Sequence, residues 1–277
     1  MLTVSLVTYK HRLTDVKPVI EGVLAGNPDK FFIVDNSRDE KFAEEVTREY
    51  PGKIEYIPAE NRGFGAGHNT AIREAMKSGS KFHAIVNPDI FFAPGTLEKI
   101  TEYMQKNPEI GLLMPKTCYP DGTMQYNCKL VPSPLDLIFK RFLPGFLIRK
   151  RMYRFRMQQF DHEKIMEVPY LCGCFMVFSR EALEKAGLFD ERFFMYPEDI
   201  DITRRIYAAG FRTVYYPEAE VIHAHEQASK KSLKMLKIHI VNMIKYFNKW
   251  GWLIDPERRR INREILAANA RLHSNRK

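Results

Sequence analysis

The stretch FHAIVNPDIFF, residues 82–92, runs as a continuous apolar segment and then breaks at Asn87-Pro88-Asp89. Short apolar runs that end in turn residues are typical of strands buried on both faces of a sheet. Proline fixes its own φ angle and lacks the N–H for the next ladder bond, so it ends the strand. The stretch therefore predicts a buried strand whose rigid tip presents the Asp89 carboxylate at the sheet edge. An ordinary proline turn is the alternative interpretation of an isolated Asn-Pro-Asp.

Strand and helix patterns alternate on both sides of this stretch. The predicted strands are LTVSLVTY (2–9), KFFIVDNS (30–37), KIEYIP (53–58), FHAIVNPD (82–89) and IGLLMPK (110–116). The predicted helices are VKPVIEGVLAG (16–26), EKFAEEVTREY (40–50), GAGHNTAIREAMKSG (65–79) and APGTLEKITEYMQKN (93–107). This alternation predicts a Rossmann-like α/β fold in which helices cover both faces of a mainly parallel sheet.

Polar residues follow three of these strands at the point where each strand ends. They are Thr8 and Tyr9, Asp35 and Asn36, and the segment Asn87-Pro88-Asp89. Parallel strands end at one edge of their sheet, and the ligands of such sheets bind beyond the carboxyl ends of the strands. These residues therefore predict a ligand site at that edge.

The segment NRGFGAGHNTAI, residues 61–72, has three glycines at alternate positions just before a predicted helix. It departs from the dinucleotide-binding fingerprint because His68 stands where the third glycine belongs and because it follows the third strand. Two interpretations stay open from these residues alone. The turn either forms an anion pocket from backbone N–H groups at a helix start, or only connects a strand to a helix.

Three acids crowd into the segment FFMYPEDIDITRR, residues 193–205, at the start of a predicted helix. They are Glu198, Asp199 and Asp201. Acids at this position often cap a helix and interact with its dipole, but a helix start does not need three. The aromatic residues before them are expected to desolvate one acid and raise its pKa toward that of a general base. Asp201 is expected to pair with Arg204 or Arg205 at helical spacing.

The second half of the chain returns to sheet-like patterns from residue 168. VPYLCGCFMVFS (168–179), RTVYYP (212–217) and EVIHAH (220–225) are predicted strands, and REALEKAG (180–187) is a predicted short helix. Cys172 and Cys174 are expected in mid-strand as buried thiols on one face. His223 and His225 share a face, either as metal ligands or as a polar strand end. No third nitrogen or thiolate lies nearby in sequence, so a structural zinc site is not expected.

The composition is that of a globular protein of 277 residues, with 43 Lys and Arg against 34 Asp and Glu. The resulting charge of +9 suits anionic partners such as nucleotide phosphates, phospholipid or nucleic acid. The four cysteines show no CxxC pattern, which favours a reducing, cytoplasmic location. No signal peptide is expected at the first residues. The longest apolar run, 168–178, is shorter than the roughly 20 residues that cross a bilayer.

Two segments combine basic and apolar residues, and they set the predicted domain limits. A basic aromatic insert covers about 132–162, with seven Lys and Arg between residues 140 and 156. The predicted catalytic domain covers 1–226, and a basic amphipathic helical region covers 227–277. In that region one side has Leu233, Leu236, Ile240, Ile244 and Phe247, and another has Lys230, Lys234, Lys245 and Lys249. Both segments suit an anionic membrane surface, and a homodimer interface is the alternative.

An ordered series of motifs carries a family resemblance that spans roughly residues 2–225. The segments are SLVTY, IVDNS, NRGFGAGHN, NPD, GCFMVFSREALEKAGLFDERFFMYPEDIDITRRIYAAG and YYPEAEVIHAH. Together they resemble the family-2 inverting glycosyltransferases of the GT-A fold, and they are most similar to the rhamnosyltransferase-like branch that builds bacterial surface polysaccharides. The order of the motifs makes the resemblance far more specific than any single motif.

The resemblance implies roles for residues of the predicted edge site. Thr8 and Tyr9 would line the nucleoside pocket beside Asn36, and Asp35 would hydrogen-bond a pyrimidine base. The wall around the ribose, diphosphate and sugar would be shaped by Asn61, Gly63, Phe64, Gly65 and Asn69. The general base would be Asp199, with Glu198 beside it.

The resemblance also implies a metal ion, Mg²⁺ or Mn²⁺. Asn87-Pro88-Asp89 takes the place of the family's Asp-x-Asp motif, with Asp89 as the metal-facing carboxylate and His223 completing or supporting the site. The first acid of the motif is Asn87 here. A single carboxylate holds an ion weakly, so the metal is expected to enter with the nucleotide.

The implied reaction moves a sugar from a sugar nucleotide to a hydroxyl of a saccharide acceptor, often a polyprenyl-linked one, at the inner face of the cell membrane. dTDP-rhamnose is the first choice of donor, and UDP-hexose or UDP-N-acetylhexosamine is the alternative. A nucleotidyltransferase would need a glycine-rich basic signature near its first strand, which VTYKHRLTD lacks. Nucleic acid is not expected as a partner because no such motif appears. A non-catalytic sugar-nucleotide-binding protein would have no need of both Asp89 and Asp199.

Overall fold

Strands from both halves of the chain form one nine-stranded mixed sheet in the computed structural model, which describes residues 1–136, 143–224 and 233–274. The strands of the described residues are β1 Leu2–Thr8, β2 Lys30–Asp35, β3 Glu55–Pro58, β4 Phe82–Val86, β5 Ile90–Phe92, β6 Ile110–Cys118, β7 Cys128–Lys129, β8 Met166–Glu167, β9 Tyr170–Leu171, β10 Phe175–Ser179 and β11 Arg212–His223. The helices are α1 Leu13–Ala25, α2 Glu40–Glu49, α3 Phe64–Lys77, α4 Thr96–Lys106, α5 Gly145–Phe155, α6 Arg180–Ala186, α7 Glu198–Ala208, α8 Leu233–Trp250 and α9 Pro256–Ser274.

The order of strands in the large sheet is β3-β2-β1-β4-β10-β6-β11-β5, with β8 paired to β11. The first four of these strands are parallel, as the alternation predicts, and β11 is parallel to β6. Strand β10 enters antiparallel between β4 and β6. The amino end of β10 therefore lies at the same sheet edge as the carboxyl ends of β1, β2 and β4, where the polar residues were expected.

Apolar clusters fill both faces of the sheet. On one face, β1 packs against α1, α2 and α4, with Val16, Ile20, Phe42, Leu97 and Ile100 buried. On the other face, the cluster joins α3, α5 and α7 to α8 and α9, with Ile72, Met152, Ile202, Tyr246 and Ile261 buried. The C-terminal helices therefore belong to the same core as the sheet. The predicted boundary at residue 226 lies outside the described residues.

Local signals account for several helix starts. The Asp39 carboxylate accepts hydrogen bonds from the Lys41 and Phe42 amides and begins α2. Ser179 begins α6 in the same way, through the Ala182 amide. Helix α7 instead begins with the acids of the PEDID segment in its first turn, at the positive end of the helix dipole.

Three predicted strands differ in the structure. The single strand expected over 168–179 is broken, because Cys172, Gly173 and Cys174 form a turn between β9 and β10. The expectation that both thiols lie in mid-strand on one face is therefore wrong, and Cys172 is partly exposed while Cys174 is buried. The two strands expected over 212–225 join into β11, with a register shift between Tyr216 and Glu220.

The basic segments also differ from the simple amphipathic pattern. In α8 the buried side chains are Asn242, Met243, Tyr246 and Phe247, whereas Leu233, Ile240 and Ile244 are exposed. The predicted apolar side is therefore split between core and solvent, because α8 packs against α7 and α9 along a different face. In the insert, α5 buries Ile148, Met152 and Phe155, while residues 137–142 lie outside the described part. No helix of the described residues is long and apolar enough to span a membrane.

Candidate active site

Asp35, the last residue of β2, is a fully buried carboxylate. Its oxygens accept hydrogen bonds from the Thr8 hydroxyl at 3.1 Å, the Tyr56 hydroxyl at 2.8 Å and the Asp39 amide at 2.8 Å. Ser37 adds its hydroxyl at 2.6 Å and its amide at 3.1 Å. Burial raises the pKa of Asp35, but these hydrogen bonds outweigh burial, and its pKa lies below the ordinary value. The carboxylate therefore orders residues 35–39, and contact with a base would displace one of these donors.

Beside this carboxylate, Asn36 offers an acceptor that no other group in the described part of the chain uses. Its side-chain amide donates to the Gly63 carbonyl at 3.5 Å, while its Oδ1 is buried with no partner among the described residues. Buried polar atoms are usually paired, so an orphan acceptor at a sheet edge marks a place for a ligand donor. Tyr9 follows β1 and is about half exposed, which leaves its ring accessible to a planar ligand group.

The start of α3 packs against the loop that precedes α7. Gly63 has φ +105°, and a Cβ there would lie 2.1 Å from the Phe194 carbonyl oxygen, so only glycine fits. The Phe64 amide donates to that same oxygen at 2.9 Å, and Asn61 Oδ1 accepts the Gly63 amide at 3.3 Å. The Phe64 amide is therefore engaged by the protein, which limits the anion-pocket interpretation of this turn.

Asn69 and Gly65 tie α3 to the same loop at a second point. The Asn69 side chain accepts the Phe189 amide at 3.0 Å and donates to the Phe189 carbonyl at 2.9 Å and to Glu191 at 3.0 Å. A Cβ at Gly65 would lie 2.8 Å from the Phe189 side chain. His68, the residue that breaks the dinucleotide fingerprint, turns into the core and bonds Ser5 at 2.7 Å. Asn69 therefore positions the loop, with its amide fully used.

Asp89 and His223 face each other at the edge of the sheet, with the Asp89 Oδ2 3.3 Å from the His223 Nε2. The Gln125 amide nitrogen donates to the His223 carbonyl at 2.7 Å, so the Gln125 Oε1 is the atom 3.0 Å from the His223 Nδ1. Nδ1 must then carry a proton, and in the neutral ring Nε2 presents a lone pair to the carboxylate. The Asp89 Oδ2 and the His223 Nε2 are then two acceptors 3.3 Å apart, and a proton or a metal cation between them would interact with both.

The residues around this pair fit a divalent metal. The backbone amide of Asn87 donates to the Cys174 carbonyl at 3.0 Å. The side-chain Oδ1 of Asn87 is buried without a partner in the described part of the chain. Within residues 1–136, 143–224 and 233–274 no three His, Cys, Asp or Glu side chains form a metal cluster. A site with few protein ligands is what Mg²⁺ and Mn²⁺ use when substrate phosphates supply the rest. His225, the second histidine of the motif, lies outside the described residues.

Asp199 lies in the first turn of α7 and is buried. Its Oδ2 accepts the Tyr170 hydroxyl at 3.2 Å and the Gly173 amide at 3.1 Å, and its Oδ1 accepts the Ile200 amide at 2.8 Å. Burial, followed by the nearby Cys172 thiol, raises the pKa of Asp199 to about 7. A carboxylate with this pKa is matched to proton transfer near neutral pH.

Glu198 is the neighbouring acid, and its environment is different. It is buried, and its Oε2 has no partner among the residues that the structure describes. Burial and then the charge of Asp199 raise the pKa of Glu198 well above its ordinary value. Burial therefore disfavours the charged form of Glu198, whereas Asp199 has hydrogen-bond donors that stabilise its charged form. This difference favours Asp199 as the proton acceptor of the pair.

The turn Cys172-Gly173-Cys174 joins the two halves of the site. The Cys174 carbonyl accepts the Asn87 amide on one side, and the Gly173 amide donates to Asp199 on the other. A Cβ at Gly173 would lie 3.2 Å from the Asp199 Cβ, so a side chain there would press on the acid. A single short turn therefore contacts both Asp199 and Asn87, which stands two residues before Asp89.

Sequence reasoning missed Gln125, Tyr170 and Gly173. The lone glycine within the apolar run 168–178 was an available signal, because such a glycine often marks a break or a close approach. Gln125 and Tyr170 gave no signal, since their partners His223 and Asp199 are distant in sequence.

Helix α8 supports the loop in front of the acids. Tyr196 has φ +95°, a strained backbone conformation for a residue with a side chain. Its ring stacks on His239 of α8 with 4.6 Å between centroids. The Asn242 amide donates to the Met195 carbonyl at 3.0 Å. These contacts hold a strained loop that ends three residues before Asp199.

Ion pairs join α7 to the C-terminal helices. Asp201 pairs with Arg205 at 2.8 Å, as predicted, and also with Lys249 of α8 at 2.6 Å. The other expectation, that Asp201 pairs with Arg204, is wrong. Arg204 is instead fully buried against the Trp250 ring at 4.0 Å and pairs with Asp255 at 2.9 Å, because α8 and α9 cover that side of α7.

Comparisons with known proteins identify the family of this architecture. A family model described as "Glycosyltransferase like family 2" matches residues 6–237. An N-acetylglucosaminyl-diphospho-decaprenol L-rhamnosyltransferase of Mycobacterium tuberculosis H37Rv is 28% identical over 236 residues, which is 76% of each chain. The rhamnosyltransferase WbbL of Escherichia coli K12 is 23% identical over 252 residues, covering 89% of this chain and 92% of its own.

Solved structures share the fold at low sequence identity. The mannosyltransferase PcManGT of Pyrobaculum calidifontis, in complex with GDP-Man and Mn²⁺, matches with a TM-score of 0.56 and 17% identity over 97% of this chain and 74% of its own. GalNAc-T7 with UDP, GalNAc and Mn²⁺ matches with a TM-score of 0.58 and 14% identity over 80% of this chain, which spans only 43% of GalNAc-T7. These likenesses confirm the predicted GT-A fold.

Proposed function

The chain belongs to glycosyltransferase family 2, and from this premise we propose that it transfers L-rhamnose from dTDP-rhamnose to a hydroxyl of a lipid-linked saccharide. Two relatives are named rhamnosyltransferases, and the name of one specifies an acceptor on decaprenyl diphosphate. The proposed setting is the synthesis of a bacterial surface polysaccharide at the inner face of the cell membrane. UDP-hexose and UDP-N-acetylhexosamine are the alternative donors.

One observation carries the proposal. A buried carboxylate with a pKa near 7, Asp199, accepts a hydrogen bond from the Cys172-Gly173-Cys174 turn. The carbonyl of Cys174 in the same turn accepts the backbone amide of Asn87, two residues before the Asp89 that faces His223. Inverting transfer needs a proton acceptor on one face of the sugar and charge stabilisation for the leaving diphosphate on the other. The two sides of the turn supply these two groups.

The proposed reaction is a single displacement. The acceptor oxygen forms a bond to the anomeric carbon as the bond from that carbon to the diphosphate oxygen breaks, which inverts the configuration. Asp199 Oδ1 or Oδ2 takes the acceptor's hydroxyl proton. Tyr170 and the Gly173 amide keep that carboxylate oriented through their hydrogen bonds to Oδ2.

Asp89 and His223 would hold a divalent ion on the donor side. Gln125 fixes the ring of His223 so that its Nε2 lone pair points toward the Asp89 carboxylate. When bound, Mg²⁺ or Mn²⁺ supplies positive charge that offsets the negative charge growing on the leaving diphosphate. The Asn87 Oδ1 and Asn36 Oδ1 are acceptors for hydroxyl or N–H groups of the sugar nucleotide.

A donor panel tests the proposal. Thermal unfolding is followed with dTDP-rhamnose, UDP-glucose, UDP-galactose and UDP-N-acetylglucosamine, each with and without Mn²⁺. We expect dTDP-rhamnose to stabilise the protein most against thermal unfolding, and only when Mn²⁺ is present. In a transfer assay, rhamnose should then be transferred to a polyprenyl-diphosphate-linked N-acetylglucosamine. If a UDP-sugar stabilises the protein more, that UDP-sugar is the donor instead of dTDP-rhamnose. No response to any sugar nucleotide would contradict the proposed function.

A further inference from the structure

The outward face of α8 carries apolar side chains in contact with solvent. Leu233 is 85% exposed, Ile240 is 50%, Val241 is 42% and Ile244 is 43%. Their spacing of three, four and seven residues places them along one side of the helix. The opposite side of α8 is the one that buries Met243, Tyr246 and Phe247 in the core. The exposed side therefore has no packing role within the described fold.

The apolar face continues beyond the end of the helix. Trp252 is 43% exposed, Leu253 is 72% and Ile254 is 78%. The Trp252 ring packs against Phe247 at 5.2 Å, and its Nε1 donates to Asn248 at 2.8 Å, so the connection after α8 is held in place. We call the exposed set the apolar ridge; its members are Leu233, Ile240, Val241, Ile244, Trp252, Leu253 and Ile254.

The charged residues of α8 are all lysines. Lys234, Lys237 and Lys245 are exposed on α8, and the sequence has no Asp or Glu between Glu226 and Asp255. An apolar strip flanked by lysines is the pattern of helices that lie in the plane of an anionic membrane. Each lysine near such a surface strengthens binding through its attraction to anionic lipid.

We propose that the apolar ridge docks the protein onto an anionic lipid leaflet, with α8 lying in the membrane plane. A second copy of the chain is the competing occupant. A two-fold interface would set the lysines of one α8 against those of the other, because such an interface pairs a surface with itself. Like charges facing each other at an interface oppose association, so the charge pattern favours lipid.

The position of α8 gives this docking a consequence for the reaction, which rests on the proposed function. The inner side of α8 holds the loop before the acids, through Asn242 to Met195 and His239 to Tyr196. One helix diameter, about 10 Å, therefore separates the apolar ridge from the loop that leads to Asp199. A docked α8 would keep the proton acceptor close to a membrane in which a lipid-linked acceptor is confined.

Vesicle co-sedimentation of the full chain tests the docking independently of catalysis. Vesicles of phosphatidylcholine with 30% phosphatidylglycerol are compared with pure phosphatidylcholine vesicles. Each comparison is made in low salt and in roughly 0.5 M salt, because salt screens the attraction between exposed charges and leaves apolar contacts in place. The expected result is binding to the anionic vesicles that weakens in high salt, and at least about tenfold weaker binding to the neutral vesicles.

Matched variants locate the contact. Ile240→Glu with Ile244→Glu places two negative charges on the apolar ridge, and Lys41→Gln with Lys81→Gln lowers the net charge equally elsewhere. The first variant is expected to lose about tenfold or more in vesicle binding, and the second less than about threefold, with thermal unfolding unchanged in both. Rhamnose transfer to a short water-soluble acceptor should be equal in all three proteins.

The docking proposal is overturned if the ridge variant binds vesicles like the wild type, or if neutral and anionic vesicles bind equally. Light scattering that shows a dimer, dissolved by the same two substitutions, together with no binding to vesicles, would assign the apolar ridge to a second copy instead. Vesicle binding without any sugar transfer would support the docking while contradicting the proposed function, so the two failures are distinguishable.

Discussion

The Asp199 carboxylate is the proposed general base, and its neighbour Glu198 provides the contrast. Both are buried, but Asp199 receives three hydrogen-bond donors, whereas one Glu198 oxygen has none within the described chain. Hydrogen bonds to the charged form oppose the effect of burial. Asp199 therefore has the support that its charged form needs near neutral pH, and the unpartnered oxygen of Glu198 lacks it.

Replacing Asp199→Asn is expected to lower sugar transfer by about 10²–10⁴-fold, because the general base is lost while the shape is kept. Binding of the sugar nucleotide, measured by calorimetry, should change little. Glu198→Gln is the matched control and should retain most of the activity, because it removes the neighbouring acid and leaves the hydrogen-bonded Asp199 carboxylate in place. Wild-type turnover in Asp199→Asn with loss of activity in Glu198→Gln would move the role of base to Glu198.

The raised pKa of Asp199 also predicts a pH dependence. The rate should rise with pH through about 7, as the base loses its proton. The folded-state pKa lies above the ordinary value of 3.8, so the folded protein binds more protons than the unfolded chain between these values. The free energy of unfolding contributed by this group therefore falls as pH rises through that window.

Asp199→Asn removes the titrating group, so the variant should be more stable than the wild type at pH 8 and about equally stable at pH 4. Thermal unfolding at the two pH values measures this difference. An Asp199→Asn variant that is destabilised equally at both values would show that the carboxylate is not held at a raised pKa.

Asp89→Ala is expected to abolish the metal-dependent part of donor binding, because it removes the carboxylate that faces His223. Calorimetry of dTDP-rhamnose with and without Mn²⁺ should show a difference in the wild type and none in the variant. Asp15→Ala, which removes an exposed carboxylate paired with Arg12, is the control and should bind like the wild type. Unchanged affinity in Asp89→Ala would refute the metal role of this residue.

At the scale of elements, α8 is the support for the loop that carries the acids. Asn242 and His239 contact the strained segment Met195-Tyr196, and Lys249 pairs with Asp201 of α7. A strained backbone persists only when its surroundings hold it. The position of Asp199 therefore depends on a helix that contributes no reacting group.

Asn242→Ala is expected to lower kcat by about tenfold or more with a smaller change in the KM for donor, because it loosens the loop rather than the nucleotide pocket. The pH profile should move to lower pH, since added water around Asp199 weakens the desolvation that raises its pKa. Lys234→Ala, on the exposed side of α8, is the control for this assay with soluble substrates. An Asn242→Ala enzyme with reduced stability but unchanged kcat and pH profile would show a structural role only.

At the scale of the whole molecule, the C-terminal helices and the sheet share one core. Arg204 is fully buried, stacks on Trp250 and pairs with Asp255 at the start of α9. Removing one partner of a buried pair leaves an uncompensated charge. The junction of α7, α8 and α9 is therefore expected to be essential for global stability.

Asp255→Ala is expected to lower the free energy of unfolding by about 3–5 kcal/mol. The control Glu184→Ala, at an exposed pair with Arg180, should cost less than about 1 kcal/mol. The two tryptophans of the chain, Trp250 and Trp252, both lie in the C-terminal region. Urea unfolding followed by their fluorescence should coincide with unfolding followed by circular dichroism, and separate transitions would contradict a shared core.

The sequence was sufficient to predict those parts of the fold that depend on local pattern. Apart from the short strand β5, which was not predicted, the strands and helices through residue 116 follow the apolar periodicity. The polar residues Asp35 and Asp89 lie at the predicted edge. Side-chain contacts between distant segments could not be predicted, such as Gln125 with His223 or Tyr170 with Asp199. The buried side of α8 could not be predicted either, because α7 and α9 determine it through Arg204 and Asp255.

The central claim is that Asp89 and Asp199 act on opposite faces of one sugar. A crystal structure of the Asp199→Asn variant with dTDP-rhamnose and Mn²⁺ tests it most directly. We expect a cation held by Asp89 and His223 against the diphosphate, and residue 199 on the far side of the anomeric carbon with room for an acceptor hydroxyl between them. A donor whose diphosphate binds away from Asp89, or whose anomeric carbon faces a cavity that residue 199 does not reach, would contradict it.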